Sequence, residues 1–368
     1  MLEYLKILDR TNAKILEALG HHGPRNISEL AKSIGLPSTT VAFRIKKLMR
    51  EGLLRIRAKL NHSKLGLAKA ILIAESKPGR GKKLRQAIDD SQFWTYFARC
   101  FGKFDGYYAI FAFPAKFKER LVDYLDEVER LNISSRYVFY FTGNLVEVAP
   151  NFGWFDFESR SWNFQWDQWI GEIKDASGTL SPRLMDPTDY DIEVDNVDVL
   201  LLKELEKEGA AKFTELAHVV NISPQGVRYR YNKHIMEREL ITDYEVATFP
   251  YPLSASDMCS FIIDFQDEEK LARFANSLQG KPFIINYGKI IGRDSLVVHT
   301  YTPKTEFSRL IDSLNRLIEA TRAESFLYVT LDVNSFKRQT ISYEFFKDNN
   351  WTYDHGKTFE RLEEMLGK

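Results

Sequence analysis

Cysteine is nearly absent: 368 residues contain only Cys100 and Cys259. Each lies in a strand-like run, so both read as small buried hydrophobes in a reducing interior, and a disulfide framework is excluded. No apolar run reaches the roughly 18 residues that a membrane-spanning helix needs, so no membrane partner is expected. The opening stretch, Met1-Leu2-Glu3-Tyr4-Leu5-Lys6, lacks a basic segment followed by an apolar core. No secretory signal is therefore expected, and the predicted location is cytoplasmic. Net charge is also missing, because 51 Lys and Arg balance 51 Asp and Glu. No paired carboxylates, metal-ligand cluster or nucleophile–base pair stands at useful spacing. The expectation is thus a protein that is not an enzyme, with no catalytic residue, metal or cofactor assigned.

What the chain does have is length and repetition. With 44% hydrophobic residues it is globular and long enough for two or more domains. Leu8-Asp9-Arg10-Thr11-Asn12-Ala13-Lys14-Ile15-Leu16 returns as Val194-Asp195-Asn196-Val197-Asp198-Val199-Leu200-Leu201-Leu202. Ser28-Glu29-Leu30-Ala31 returns as Thr214-Glu215-Leu216-Ala217, and Val41-Ala42-Phe43-Arg44-Ile45 as Val227-Arg228-Tyr229-Arg230-Tyr231. All three matches share one offset of 186 residues. A self-match in register marks a duplication and decides the fold before any local signal does.

The neutral total hides a division between the copies. Residues 1–64 carry thirteen Lys or Arg against five Asp or Glu; residues 188–245 carry seven against thirteen. The first copy is predicted to meet a polyanion, and the second on average is not.

In the first copy a helix covers Asn12 to Leu19 and stops at Gly20 and Gly23-Pro24. A second begins at Asn26, with Glu29 completing a capping box. A third runs from Ser38 to Glu51 with Val41, Ile45 and Leu48 as its buried stripe. Arg55 to Lys59 alternates charged and apolar residues, as a wing strand does. Three short helices and a wing make a winged helix-turn-helix. On that fold the third helix enters the major groove. Ser38, Thr39, Thr40 and Phe43 are then the residues nearest base edges. Arg44, Lys46, Lys47 and Arg50, with Arg55, Arg57 and Lys59 of the wing, are predicted to meet phosphates.

Residues 65–150 follow the order βαββαβ, a ferredoxin-like unit with one bare sheet face. Its central turn contains Gly102 and Asp105. Residues 194–250 repeat the winged unit and 251–335 the βαββαβ unit, whose turn contains Gly292 and Asp294. Gln225, Arg228, Arg230 and Lys233 are the candidate DNA contacts of the second copy. Its wing places carboxylates where the first places arginines, which weakens them. Between the halves lie an aromatic extension, 151–173, and a linker, 174–193; residues 336–368 close the chain. The extension holds four of the six tryptophans and is expected to cover apolar surface or clasp the other half. An aromatic pocket for a planar ligand is the sharper alternative for it.

The residues Leu8-Asp9-Arg10…Ile15-Leu16, Glu29-Leu30-Ala31…Gly35-Leu36, Arg44-Ile45-Lys46-Lys47-Leu48…Gly52-Leu53-Leu54 and Gly102-Lys103-Phe104-Asp105 resemble the leucine-responsive and asparagine-operon regulator family (Lrp/AsnC). The resemblance implies an α+β fold: two winged helix-turn-helix domains alternating with two ferredoxin-like βαββαβ effector domains, folded as an intrachain pseudo-dimer with the bare sheets packed together. It implies a transcription regulator whose partner is double-stranded DNA. An amino-acid-like effector would bind near Gly102, Asp105, Gly292 and Asp294, and the pseudo-dimers would be open to further self-assembly. For those four residues plain turn geometry is the competing reading. Two other functions stay open. Some proteins similar to this family are sirohaem decarboxylases, which bind a tetrapyrrole between effector domains. A co-regulator without direct DNA contact is the other. Against the enzyme, His21, His22, His62, His218 and His234 fall in or beside the winged units. His299 alone lies in an effector domain, where a strand histidine is more often packed or surface-exposed.

Overall fold

A computed structural model of the chain describes residues 8–248, 250–321 and 325–367. The first winged unit is α1 (Arg10–His22), α2 (Ile27–Ser33), α3 (Ser38–Arg50) and β1 (Arg55–Leu60). Its helices begin where side chains can cap them. Asp9 accepts from the Asn12 amide at 2.7 Å, and Asn26 accepts from the Glu29 amide at 3.2 Å. Val41, Ile45 and Leu48 are buried, packing α3 into a small apolar cluster with Ile15, Leu19 and Leu30.

The first βαββαβ unit comprises β2 (Leu67–Ser76), α4 (Gly81–Asp90), β3 (Trp94–Gly102), β4 (Gly106–Pro114), α5 (Lys118–Arg130) and β5 (Ser134–Thr142), continued by the short β6 (Val146–Glu147). The extension is a hairpin of β7 (Phe155–Asp156) and β8 (Ser161–Trp162) followed by α6 (Trp166–Asp175). The second winged unit is α7 (Asn196–Lys207), α8 (Phe213–Val220), α9 (Pro224–Arg230) and β9 (Ile241–Ala247). Its recognition-type helix does not run on as an α-helix: residues Tyr231–Met236 form a π turn. The second βαββαβ unit is β10 (Ser256–Asp264), α10 (Glu268–Ser277), β11 (Ile284–Lys289), β12 (Ser295–Pro303), α11 (Phe307–Thr321) and β13 (Ser325–Leu331). The tail adds β14 (Lys337–Arg338), a hairpin of β15 (Phe346–Lys347) and β16 (Asn350–Trp351), and α12 (His355–Leu366).

The duplicated α+β architecture is as the repeat predicts, with the two sheets sharing one interior. Ile71, Ile73 and Tyr108 of one sheet cluster with Ile262, Val297 and Val329 of the other. The sheets are also joined along their edges. The strands run β5-β2-β4-β3-β13-β10-β12-β11-β6 in one continuous order. Thr330 pairs with Phe101 at one seam and Asn286 with Glu147 at the other. Edge pairing removes the exposed amides that two separate sheets would leave.

Two further exchanges lock the halves. The wing strands pair with each other, β1 antiparallel to β9, with Arg57 opposite Glu245 and Lys59 opposite Asp243. The extensions cross over as well. Trp169 of α6 is buried beside Phe274 and Phe283 of the second half. Trp351 is buried beside Phe93 of the first, where its indole donates to the Leu65 carbonyl at 2.6 Å. The segment 174–193, expected to be an exposed linker, is tied down in part: Leu184 is buried and Ile192 bridges to Leu65.

Trp351→Ala removes a fully buried indole and orphans the Leu65 carbonyl. It should lower the unfolding free energy by about 3–5 kcal/mol. Phe43→Ala, at a side chain 67% exposed, should change it by less than about 0.5 kcal/mol. Urea melts of the two variants test this; equal midpoints would show that the crossover does not hold the halves.

Candidate functional site

A cavity of about 820 Å³ lies where the paired wings, both sheets and the tail meet. That is within the size range of small-molecule and cofactor sites, roughly 300–1,000 Å³. Part of its wall is apolar, from Ile110, Leu145, Met258, Phe283 and Leu331, with Trp162 and Tyr96 adding aromatic surface. The rest is charged. Seven Lys or Arg and four Glu side chains line it, so the wall is positive on balance.

The charged wall is one connected network. Glu245 on β9 lies at its centre. Arg338 on β14 donates to its Oε1 at 2.9 Å and Arg57 on β1 at 3.3 Å, while Lys59 reaches Oε2 at 3.3 Å. Lys59 also pairs with Glu147 on β6 at 3.0 Å. Glu147 accepts from the Asn286 amide on β11 at 3.1 Å. Asn286 in turn accepts from His299 Nδ1 on β12 at 2.6 Å. The remaining His299 nitrogen, Nε2, is 2.6 Å from the Tyr108 hydroxyl. With Asn286 oriented by Glu147, its carbonyl oxygen faces the imidazole. His299 therefore carries its proton on Nδ1, and Tyr108 donates to Nε2.

Burial and charge set the protonation states. Burial alone would raise the Glu245 carboxyl, but Arg338, Lys59 and Arg57 hold it far below the usual carboxylate range. Burial would lower Lys59, and Glu147 with Glu245 raise it instead. Burial, together with the charges of Lys59 and Lys69, brings His299 down to about 3, so the imidazole is neutral near pH 7. The carboxyl of Glu206 on α7 is raised by burial against the pull of the Ile341 amide and of Lys59 and Lys69.

The residues singled out as DNA contacts divide between the protein interior and the exposed faces of α3 and α9. Arg57 and Lys59 do not meet phosphates: their strand pairs with β9, and their charges are met inside the protein by Glu245 and Glu147. Arg55 is exposed and also lines the cavity. Arg44 is held by Asp9 at 2.7 Å and Asn12 at 2.9 Å. Arg230 repeats that arrangement with Asp195 at 2.8 Å and Asp198 at 2.7 Å. Ser38, Thr39, Phe43, Lys46, Lys47 and Arg50 are exposed on α3 and Thr40 half-buried. Gln225 and Arg228 are exposed on α9, and Lys233 pairs with Glu237. None of these α3 and α9 residues lines the cavity.

The four turn residues lie away from the cavity too. Gly102 and Gly292 have φ of +112° and +71°, the left-handed conformations that glycine allows. Asp105 pairs with Arg99, and the Asp294 carbonyl accepts from the Phe265 amide. A cluster of Asp195, Asp198 and His234 has cation-ligand spacing. The Arg230 guanidinium already bridges its two carboxylates. The Arg44–Asp9–Asn12 copy of that contact marks it as a structural tie of the winged unit.

Among the cavity residues that escaped the sequence reading are Lys69, Glu147, Glu206, Glu245, Asn286 and Arg338. They sit on separate strands and one helix, so no local spacing joins them. The one signal available was the opposite charge of the two wings. His299, expected to be packed or surface-exposed, is buried and also lines the cavity.

Comparison with known proteins divides in the same way. Residues 8–55 match a family model described as winged helix-turn-helix DNA-binding. An uncharacterised HTH-type transcriptional regulator of Pyrococcus abyssi is 37% identical over 86 residues, 23% of this chain and 57% of the relative. A proline dehydrogenase transcriptional activator of Rhizobium radiobacter is 44% identical over 61 residues, 16% of this chain and 39% of that protein. The chain thus spans between 39% and 57% of the length of these curated relatives. The siroheme decarboxylase NirDL is similar over 96% of this chain and 99% of its own, at TM-score 0.53 and 14% identity. Its structure in co-complex with an iron-uroporphyrin III analogue gives TM-score 0.51. This likeness establishes the duplicated fold.

These findings overturn the expectation of an Lrp/AsnC-type regulator that is not an enzyme and has double-stranded DNA as its partner. The likeness to regulators is partial. The full-length likeness is to a solved enzyme, NirDL, and not to a regulator, and Arg57 and Lys59 of the basic wing pair with carboxylates inside the protein. No helix among the described residues is long and apolar enough to cross a membrane.

Glu245→Gln leaves three cations facing a neutral amide. Breaking a buried pair of this kind should cost about 3–5 kcal/mol. The sign with pH follows from the lowered carboxyl. Its stabilisation is complete above the ordinary carboxylate pKa and is lost as pH falls toward the folded value. Wild-type stability should therefore drop on acidification below about pH 4.5, and Glu245→Gln should drop less. Parallel acid dependences of the melting temperature would refute this.

Proposed function

We propose that the chain is a decarboxylase acting on an anionic iron tetrapyrrole of the siroheme class, bound in the cavity between its halves. The observation that carries the reading is the cavity itself: apolar and aromatic surface beside a wall of surplus cations, with a buried histidine at its edge. A tetrapyrrole macrocycle is planar and apolar, and its side-chain carboxylates lie around the rim. The apolar surface suits the ring, and the cations suit the carboxylates. The likeness to NirDL supports the same substrate class.

The chemistry needs no redox partner. A side-chain carboxylate loses CO2 by C–C cleavage, and a proton replaces it on the carbon left behind. The protein's task is to hold the carboxylates, exclude water and deliver that proton. His299 is suited to delivery. Its Nδ1–H is fixed by Asn286, and Nε2 shares the Tyr108 proton. Free imidazole here is neutral, and an anionic substrate beside it favours the protonated form. Tyr108 and His299 together then supply the proton, and solvent restores it.

Anaerobic incubation with siroheme should shift its absorption on binding and yield a tetrapyrrole lighter by one or more CO2 by mass spectrometry. His299→Gln should retain binding and lose about 10²–10⁴-fold in decarboxylation rate. Siroheme that fails to bind, or that binds and is recovered unchanged, would sink the proposal.

A further inference from the structure

The two repeats build the cavity from equivalent strands but with different chemistry. Leu67 pairs with Pro114 in the first sheet and Ser256 with Pro303 in the second. In that register Lys69 stands where Met258 stands, and Ile110 where His299 stands. All four line the cavity. The first half thus presents an amine where the second presents a thioether, and an aliphatic chain where the second presents the imidazole.

Lys69 is a cavity cation that stands outside the network. Among the described residues its ammonium makes no hydrogen bond or ion pair. The carboxylates around it are engaged. Glu147 is held by Lys59 and Glu245 by Arg57, Lys59 and Arg338, while Glu206 accepts from the Ile341 amide at 2.7 Å. On the same cavity wall is His62, 4% exposed. The Lys69 side chain is half-buried on the cavity wall, and an ammonium there without a counter-ion favours a ligand that supplies one.

We infer that Lys69 is the receptor for one carboxylate of the substrate, fixing which edge of the ligand faces the first half. The ligand class rests on the tetrapyrrole reading above; the role of Lys69 goes beyond it. The charged groups facing Lys69 are Lys59 on β1, Glu147 on β6, Glu206 on α7 and Arg338 on β14. His62 and His299 add neutral rings, both held well below the usual imidazole range first by burial. Burial and the charge of Lys59 bring the Lys69 amine down to about 7. A carboxylate arriving beside it restores the charged form, so binding takes up a proton. Below that pH the ammonium is already formed and affinity is flat. Above it, affinity falls as pH rises, by up to about tenfold per unit.

The test is equilibrium binding of coproporphyrin, a porphyrin carrying four carboxylates, to the full chain from about pH 6 to about pH 9. Wild type should weaken about tenfold per unit above neutrality. Lys69→Met, which installs the residue of the other repeat, should bind at least about tenfold more weakly at pH 6 and show no slope. Lys69→Arg, charged throughout, should bind tightly and also show no slope. A slope that survives in Lys69→Met overturns the inference and leaves the tetrapyrrole reading intact. Failure of wild type to bind at any pH overturns both. If Lys69→Met does not fold, equal slopes in wild type and Lys69→Arg overturn the inference.

Discussion

The meeting of Glu245 with Arg57, Lys59 and Arg338 is the contact on which the rest of the structure depends. It joins the wing of one repeat to the wing of the other and adds the tail of the chain. Without the carboxylate, three cations would confront one another in a low-dielectric interior, and the pairing of the wing strands would be weakened. Its value is not simply stability, because desolvating four charges offsets much of their attraction. What the network secures is placement. It holds positive charge inside the protein, on a cavity wall, where each cation acts on a bound anion with little screening.

That constraint explains what the sequence could and could not disclose. Local signals were faithful where the physics is local. Asn26 and Glu29 cap α2 as their spacing indicates, and the wing occupies the alternating stretch from Arg55. The duplication itself was visible in the shared offset. The interaction partners of the wing were not. An alternating basic strand looks the same whether its charges face phosphate or a second strand nearly two hundred residues away. The opposite charges of the two copies held the answer, since complementary wings can pair with each other. Read instead as one cationic reading head and one weaker, anionic copy, they point to DNA. The histidine was hidden for a related reason. His299 gains its role from Tyr108, Asn286 and Glu147, which lie on three other strands. No spacing within the sequence connects them.

Duplication within one chain also changes what an interface can be. Each extension crosses to the opposite half: the first covers α10 and α11, and the second covers α4 and α5. The sheets meet along two seams, and the wings meet at a third place. A cavity bounded by such interlocked parts is formed before any ligand arrives, and little reorganisation is needed to use it. Because the two walls are encoded separately, they are free to differ. In a symmetric pair of identical subunits, Lys69 and His299 would each appear twice. Here each appears once, so the two edges of the cavity differ at these positions, and a ligand can distinguish them.

In the proposed reading the winged units serve as scaffolding. Both repeats tie the first helix to the third by one arginine on a capping carboxylate, Arg44 on Asp9 and Arg230 on Asp195. That tie consumes a cation otherwise counted toward phosphate binding. Each unit then delivers one strand, β1 or β9, to the roof of the cavity. The same three helices and wing can therefore carry a reading head or brace an enzyme interior, and the choice lies in which way the wing's charges face. Here they face inward, toward carboxylates in the free protein and, on the reading above, toward the carboxylates of a tetrapyrrole when one is bound.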